Sequence, residues 1–273
     1  MASNEFHIAP GIRLSLSYDT FYRTETLLDH HLLVWIIAGQ TEVWQANSVL
    51  TFDAGNIFIL ARNQVARLAN HTVNGIQYKA LTVQLPLERL RKLYHPLNVT
   101  PSLLPMDPSP LLVKNQASLE NIFRYMIGVY ERREQLSENA AASWFSELLS
   151  ILRAIAPQVD NILGSFDVPG KQDLTRYMEG HFMFNLTIEE FSYLTGRSIS
   201  AFNRDFRKAF GIPPQQWLTK KRLVLAHQQL TLFSKKPIDV YREVGFENLS
   251  HFSFAFKKHY GYPPKSASQH END

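Results

Sequence analysis

Residues 200–214 read SAFNRDFRKAFGIPP, and fifty positions later residues 250–264 read SHFSFAFKKHYGYPP. Aligned, the two share a Ser, a Phe pair at 202/206 and 252/256, adjacent cations at 207–208 and 257–258, an aromatic, a Gly and a Pro pair. Apolar residues four apart mark one face of a helix, a following Gly ends it, and prolines forbid its continuation. The stretch is a short amphipathic helix with a fixed stop, used twice.

Each copy has a partner helix upstream. Thr187-Ile188-Glu189-Glu190 fits a capping box, Ile188, Phe191 and Leu194 form a buried face, Thr195-Gly196-Arg197 makes a tight turn, and Ser198 suits an N-cap. Before the second copy, Ile238, Tyr241 and Val244 repeat that face, and Gly245-Phe246-Glu247 is the turn, with Gly245 suited to φ > 0. Two short helices joined by such a turn describe a helix-turn-helix. Leu174, Tyr177, Met178 and His181 predict one further helix upstream. Between the copies, Trp217, Leu218, Leu223, Leu225, Ala226 and Leu230 predict a connecting helix from Pro214 to Phe233. Its length of about 30 Å compares with roughly 34 Å between successive major-groove faces of B-DNA.

Charge separates this region from the rest. Of the 28 Lys/Arg and 25 Asp/Glu in 273 residues, thirteen cations and only four anions lie between Thr195 and Lys265; the remainder holds 15 cations and 21 anions. A basic module on a mildly acidic one is the footprint of a polyanionic partner. Lys220, Lys221 and Arg222 on the connector are placed for phosphate neutralisation.

From about Lys171 to Ser266 the chain resembles the DNA-binding domain of AraC/XylS-type transcription regulators, which carry two helix-turn-helix units joined by a long helix. The closest match is VGFENLSHFSFAFKKHYGYPP at 244–264. The resemblance implies base contacts from Ser200, Asn203 and Arg204 in the first unit and from Leu249, Ser250, His251, Ser253 and Phe254 in the second. Arg204 suits guanine and Asn203 adenine. Position 254 is often Arg in the family; Phe254 cannot hydrogen-bond a base, so thymine methyls or DNA shape are left to it. Arg197, Arg207, Lys208, Lys257 and Lys258 are assigned to phosphates. The implied partners are double-stranded DNA, RNA polymerase, a second copy of the chain and a small-molecule effector.

The first 160 residues have a different texture. Leu32–Ala38, Thr41–Trp44, Val49–Phe52, Asn56–Leu60 and Ile76–Leu85 are short apolar or alternating runs between turn signals, which suggests a small antiparallel barrel or sandwich. This part resembles the cupin-like barrel that precedes the DNA-binding domain in many relatives, the Phe52-Asp53-Ala54-Gly55-Asn56-Ile57-Phe58 turn being the nearest local match. His31, Trp35 and Tyr78 are the pocket candidates. Helical stripes at Leu119, Ile122, Phe123, Met126, Ile127, Tyr130 and at Trp144, Phe145, Leu148, Leu149, Leu152, Ile155 either cover the barrel or form a dimer contact. The expected class is α+β: a cupin-like unit over 1–160 (strands about 10–85, helices about 87–156), a linker at 161–170, the DNA-binding domain at 171–266 and a tail at 267–273.

Several functions lack their residues. There is no Cys, which removes disulfides, thiolate metal sites and a Cys nucleophile and fits a reducing, cytoplasmic location. No secretory signal is recognised, and the longest apolar run, Leu32 to Ala38, is far short of the roughly 20 residues that span a bilayer. His30 and His31 are adjacent and point to opposite faces of a strand. No catalytic motif occurs, so no catalytic residue, metal or cofactor is expected. The primary reading is an activator controlled by a small molecule. Control by a protein partner, as in type III secretion activators, is the runner-up; a cupin-type sugar- or metal-binding protein or enzyme is the alternative of another class.

Overall fold

Strand β4 (His31–Ala38) buries both of its faces, and this organises the first of two units, Met1–Asp167, into three layers. The computed structural model describes residues 4–17, 21–44, 49–95, 109–114, 117–134 and 136–269. One antiparallel sheet runs in the order β1 (Asn4–Ala9), β2 (Ile12–Ser17), β9 (Tyr78–Leu85), β4, β7 (Ile57–Leu60), β10 (Leu111–Val113). The other runs β3 (Phe21–Leu28), β8 (Gln64–His71), β5 (Gln40–Trp44), β6 (Val49–Asp53). Period-two alternation sends Leu32, Val34 and Ile36 of β4 toward the second sheet, where, with Phe58 of β7, they meet Val43 and Phe52. Leu33 and Trp35 point the other way, with Ile57, Ile59, Leu81 and Val83, and are covered by α1 (Leu87–Tyr94), α2 (Ala117–Glu131), α3 (Glu138–Ile155) and α4 (Val159–Leu163).

Among the described residues the sheets pack face to face as a sandwich instead of closing into a barrel. Strands also begin earlier than expected, at Asn4, and β10 lies in the span expected to be helical. The apolar stripes of α2 and α3 are spent on the first sheet: Phe123 stacks 5.8 Å from Trp35, and the Trp144 Nε1–H donates to the Ile122 carbonyl at 3.1 Å.

Residues 161–167, expected in the linker, belong to unit 1. Val159 and Leu163 are fully buried, and Asp160 receives two hydrogen bonds from Arg153 (2.8 and 2.9 Å) and one from the Tyr94 hydroxyl (2.7 Å). Burial pushes the Asp160 carboxyl up, but those bonds outweigh it and hold it below the usual carboxylate range. Beyond α4, buried Arg62 donates to the Asp167 carbonyl at 2.6 Å and to the Ser165 carbonyl at 3.3 Å, and Asn63 donates to Asp167 at 3.5 Å.

The second unit, Val168–Asp273, is helical: α5 (Leu174–His181), α6 (Ile188–Leu194), α7 (Ile199–Phe210), α8 (Pro214–Thr231), α9 (Pro237–Glu243), α10 (Leu249–Tyr260) and a last 3-10 turn, Pro264–Gln269. Local chemistry sets the ends. Thr187 and Glu190 form the expected reciprocal cap, the Ser198 and Asn248 side chains accept from Ala201 and His251, and Gly211 and Gly261 stop α7 and α10 at φ 74° and 87°.

Helix α8 is the common wall. Its first half packs Trp217 against Phe206 and Phe210, with ring centroids 5.6 and 4.7 Å away; its second half gives Leu223, Ala226 and Leu230 to a core with Val240, Val244, Phe246, Phe252 and Phe256. Ile238, expected in that core, is 59% exposed, and Val240 takes the buried place.

Between the halves lies buried Arg222. Its guanidinium donates to the Phe182 carbonyl at 2.8 Å and the Phe184 carbonyl at 2.6 Å, just beyond the C-terminus of α5. Gly245, at φ 94°, packs on the same group: a Cβ there would lie 2.7 Å from Arg222 Nε and 2.9 Å from the Met183 carbonyl oxygen. Gly245→Ala therefore combines left-handed backbone strain with overpacking and is expected to cost about 2–4 kcal/mol. Gly261→Ala, whose Cβ would meet nothing within 4 Å, carries the strain alone, about 1 kcal/mol. Hydrogen-exchange protection of α8 and α10 amides in the whole chain measures both; equal losses would refute the packing argument.

Candidate nucleic-acid interface

Helices α7 and α10 present the same division of labour. Phe202 and Phe206, like Phe252 and Phe256, are wholly buried. Ser200, Arg204, Arg207 and Lys208 on α7, and Ser250, His251, Phe254, Lys257 and Lys258 on α10, are exposed, while Asn203 and Ser253 are half-buried. The cations at 207–208 and 257–258 fall in the last turn of each helix, where the helix dipole favours positive charge.

The helices differ in how their polar groups are held. On α7, Arg204 reaches Asp205 at 3.2 Å while remaining 75% exposed, and the Asn203 amide donates to the Ile199 carbonyl at 2.9 Å. Burial opposes ionisation of Asp205, but hydrogen bonds from Arg197 and Arg204 prevail and lower its pKa. On α10 the corresponding residues are Phe254, 69% exposed, and Ala255. Thus α7 exposes a tethered cation where α10 exposes an aromatic ring.

Three assignments change once partners are visible. Arg197 is not a surface cation: its side chain is 8% exposed and donates to the Thr195 carbonyl at 2.7 Å, the Gln172 carbonyl at 3.0 Å and Asp205 at 3.3 Å. It clamps the first turn to the segment before α5. Arg222 is likewise internal, and Lys221 pairs with Glu179 at 2.6 Å beside the Phe182 and Trp217 rings, which leaves Lys220 as the exposed cation of the three. Leu249, expected to face a base, is half-buried against the second core and lies outside the exposed row of α10. Sequence reasoning missed a groove between α8 and α10, lined by Gln215, Thr219, Lys220, His251, Phe254 and Lys258, which joins the outer face of α10 to the connector.

In unit 1 the pocket candidates separate. His31 and Trp35 share one face of β4, opposite Leu32 and Val34, so alternation turns them toward the helices. His31 is fully buried, its Nδ1 accepts from the Arg62 backbone at 3.2 Å, and burial, then the Arg62 and His30 charges, bring its pKa down to about 3. Only Tyr78 lines the cavity of about 290 Å³ between the sheets; its hydroxyl lies 2.9 Å from Thr41 Oγ1, and burial pushes it up to about 12 against the Thr41 bond.

Comparison with known proteins bears on the helical unit first. Residues 193–270 match the helix-turn-helix domain family. The virulence regulon transcriptional activator VirF of Yersinia enterocolitica is 24% identical over 239 residues, covering 85% of this chain and 86% of that protein. The HTH-type transcriptional regulator ExsA of Pseudomonas aeruginosa is 25% identical over 130 residues, 46% of this chain and 47% of its own length. The crystal structure of an apo ToxT variant from Vibrio cholerae aligns over 95% of this chain and 97% of that chain, at 14% identity and a TM-score of 0.47. The helix-turn-helix reading of the repeat is borne out.

If Arg204 reads a base, Arg204→Ala costs about 1–3 kcal/mol at one base pair of the preferred site, whereas Lys257→Ala weakens all sequences alike and lowers the salt slope by about one. Arg197→Ala is expected to lower the melting temperature and leave the salt slope unchanged. Gel shifts over operator variants and a salt series separate the three; uniform losses for Arg204→Ala would reject its role.

Proposed function

We propose that this chain, a member of the AraC/XylS family of transcription regulators, is a sequence-specific activator that sets α7 and α10 into successive major-groove segments. The observation that carries the reading is the matched pair of helices, each burying two Phe residues and turning two C-terminal cations and a polar row to solvent. An 18-residue α8 is about 27 Å long, a fair span for elements serving groove segments roughly 34 Å apart. Activation is inferred from VirF, named a transcriptional activator and similar along most of both chains.

Phosphates are met by Arg207, Lys208, Lys257 and Lys258, with Lys220 adjoining, and bases by Ser200, Asn203, Arg204, Ser250, His251, Ser253 and Phe254. Unit 1 senses a small molecule, and its internal cavity supports this over control by a protein partner. Two copies share one extended site, RNA polymerase is the downstream partner, and the protein works in the cytoplasm. No helix among the described residues is long and apolar enough to cross a membrane.

The test is a gel shift with promoter DNA adjoining the protein's own gene, across a salt series. Four phosphate contacts per copy predict a slope of about −3.6 in log affinity against log salt for one copy and about −7 for two. A sugar- or metal-binding protein or an enzyme built on the sheet unit would give no shift at any salt concentration, and that outcome would sink the proposal.

A further inference from the structure

Helices α7 and α10 differ by more than one residue on their outer faces. On α7 a charged set is built around Asp205, which lies 3.3 Å from buried Arg197 and 3.2 Å from exposed Arg204. Fifty positions later stand Ala255, Glu247 and Phe254. The exposed cation, its tether and the clamp behind the tether are all replaced together. A single exposed apolar side chain is ordinary on a protein surface. Here, however, the ring adjoins further apolar lining: Phe254 and Ala255 share the groove between α8 and α10 with Ile212 and Leu223, and the exposed cations Lys220 and Lys258 line the same groove.

Phe254 is not a displaced core residue. Phe252 and Phe256 on either side of it are wholly buried, and Phe254 is 69% exposed. One turn earlier, His251 packs edge to face against Phe246, with ring centroids 5.6 Å apart. One turn later on the same face comes Lys258. The ring thus stands between a fixed imidazole and a cation, with half-buried Ala255 beside it.

In the major groove every base pair presents donors and acceptors, and thymine alone adds a methyl group. A phenyl ring pressed on a polar base edge displaces water and returns no hydrogen bond, which is unfavourable. Pressed on a methyl group, it buries carbon against carbon. We propose that α10 selects thymine through Phe254, the 5-methyl group resting on the ring. The inference rests on the reading of α7 and α10 as groove-binding helices and names the base that the second of them selects. Lys258 and Lys220 hold the phosphates of the strand that lies along the groove. The bound site is therefore directional: α7 discriminates by a hydrogen-bonding cation, and α10, about one helical turn away, discriminates by a methyl group.

The experiment uses the full chain and a duplex that it selects from randomised DNA. Each thymine is replaced singly by deoxyuracil, which removes the methyl group and keeps the hydrogen-bonding edge. One or two positions, about ten base pairs from the pair at which Arg204→Ala relaxes specificity, are expected to lose about fourfold in affinity, the worth of one buried methyl-sized group. Phe254→Ala is expected to bind the thymine and deoxyuracil duplexes equally, and Phe254→Leu, which keeps an apolar surface, to retain part of the preference. Melting temperatures of both variants equal to that of the unsubstituted chain separate these effects from misfolding. Indifference to deoxyuracil throughout that segment would overturn the proposal. So would a Phe254→Ala variant that weakens on both duplexes alike and keeps the preference, the mark of a shape or backbone contact. Tight selection of a duplex with no methyl dependence sinks this inference alone, whereas failure of the unsubstituted chain to select any duplex sinks the regulator reading and this inference with it.

Discussion

The helical unit depends on one buried cation. Arg222 stands on α8 between a first core around Phe206 and Trp217 and a second around Phe252 and Phe256, and it touches the framework of both. Its donors satisfy carbonyls past the C-terminus of α5, where the helix dipole welcomes positive charge, and its other side is the surface against which the second turn packs. Burying a guanidinium is costly unless its bonds are well made, and losing it would strand two carbonyls. Such a group fixes position more than it adds stability: apolar contacts along α8 would tolerate sliding, but two directed bonds do not. The relative placement of the two helix-turn-helix units is thus set by this buried group.

Much of this was legible in the residues. The Phe pairs, the capping box at Thr187, the stops at Gly211 and Gly261 and the turn at Gly245 each follow from local chemistry, and all appear where the spacing puts them. The role of a cation was not, because a sequence displays charge without its partner. Arg197 and Arg222 look like phosphate ligands until the carbonyls they meet are seen. Ile238 failed for another reason: alignment to Ile188 predicts burial, yet the core of the second unit closes on Val240 instead.

The sheet unit was less readable because burial there breaks the simple codes. Strand β8 carries Arg67 in its interior, 5% exposed and paired to Glu25 across the β3–β8 ladder at 2.6 Å, so neither strand shows an apolar run. Strand β4 is apolar on both faces, which hides which residues meet the second sheet, and that ambiguity misplaced His31 and Trp35. The same alternation gives β2 a polar face: Arg13, Ser15 and Ser17 lie together because the strand requires it.

Arg62 and Asn63 hold the carbonyls of Ser165 and Asp167 on unit 1. In the helical unit Arg197 holds the Gln172 carbonyl, and the backbone of Gly170 lies against Gly196. Each unit grips its own end of the connection, and the free tether between the two grips shrinks to Val168 and Pro169, with the φ of Pro169 fixed by its ring. Val168 is 72% exposed, so a proteolytic cut beside it would leave each unit with its own grip intact.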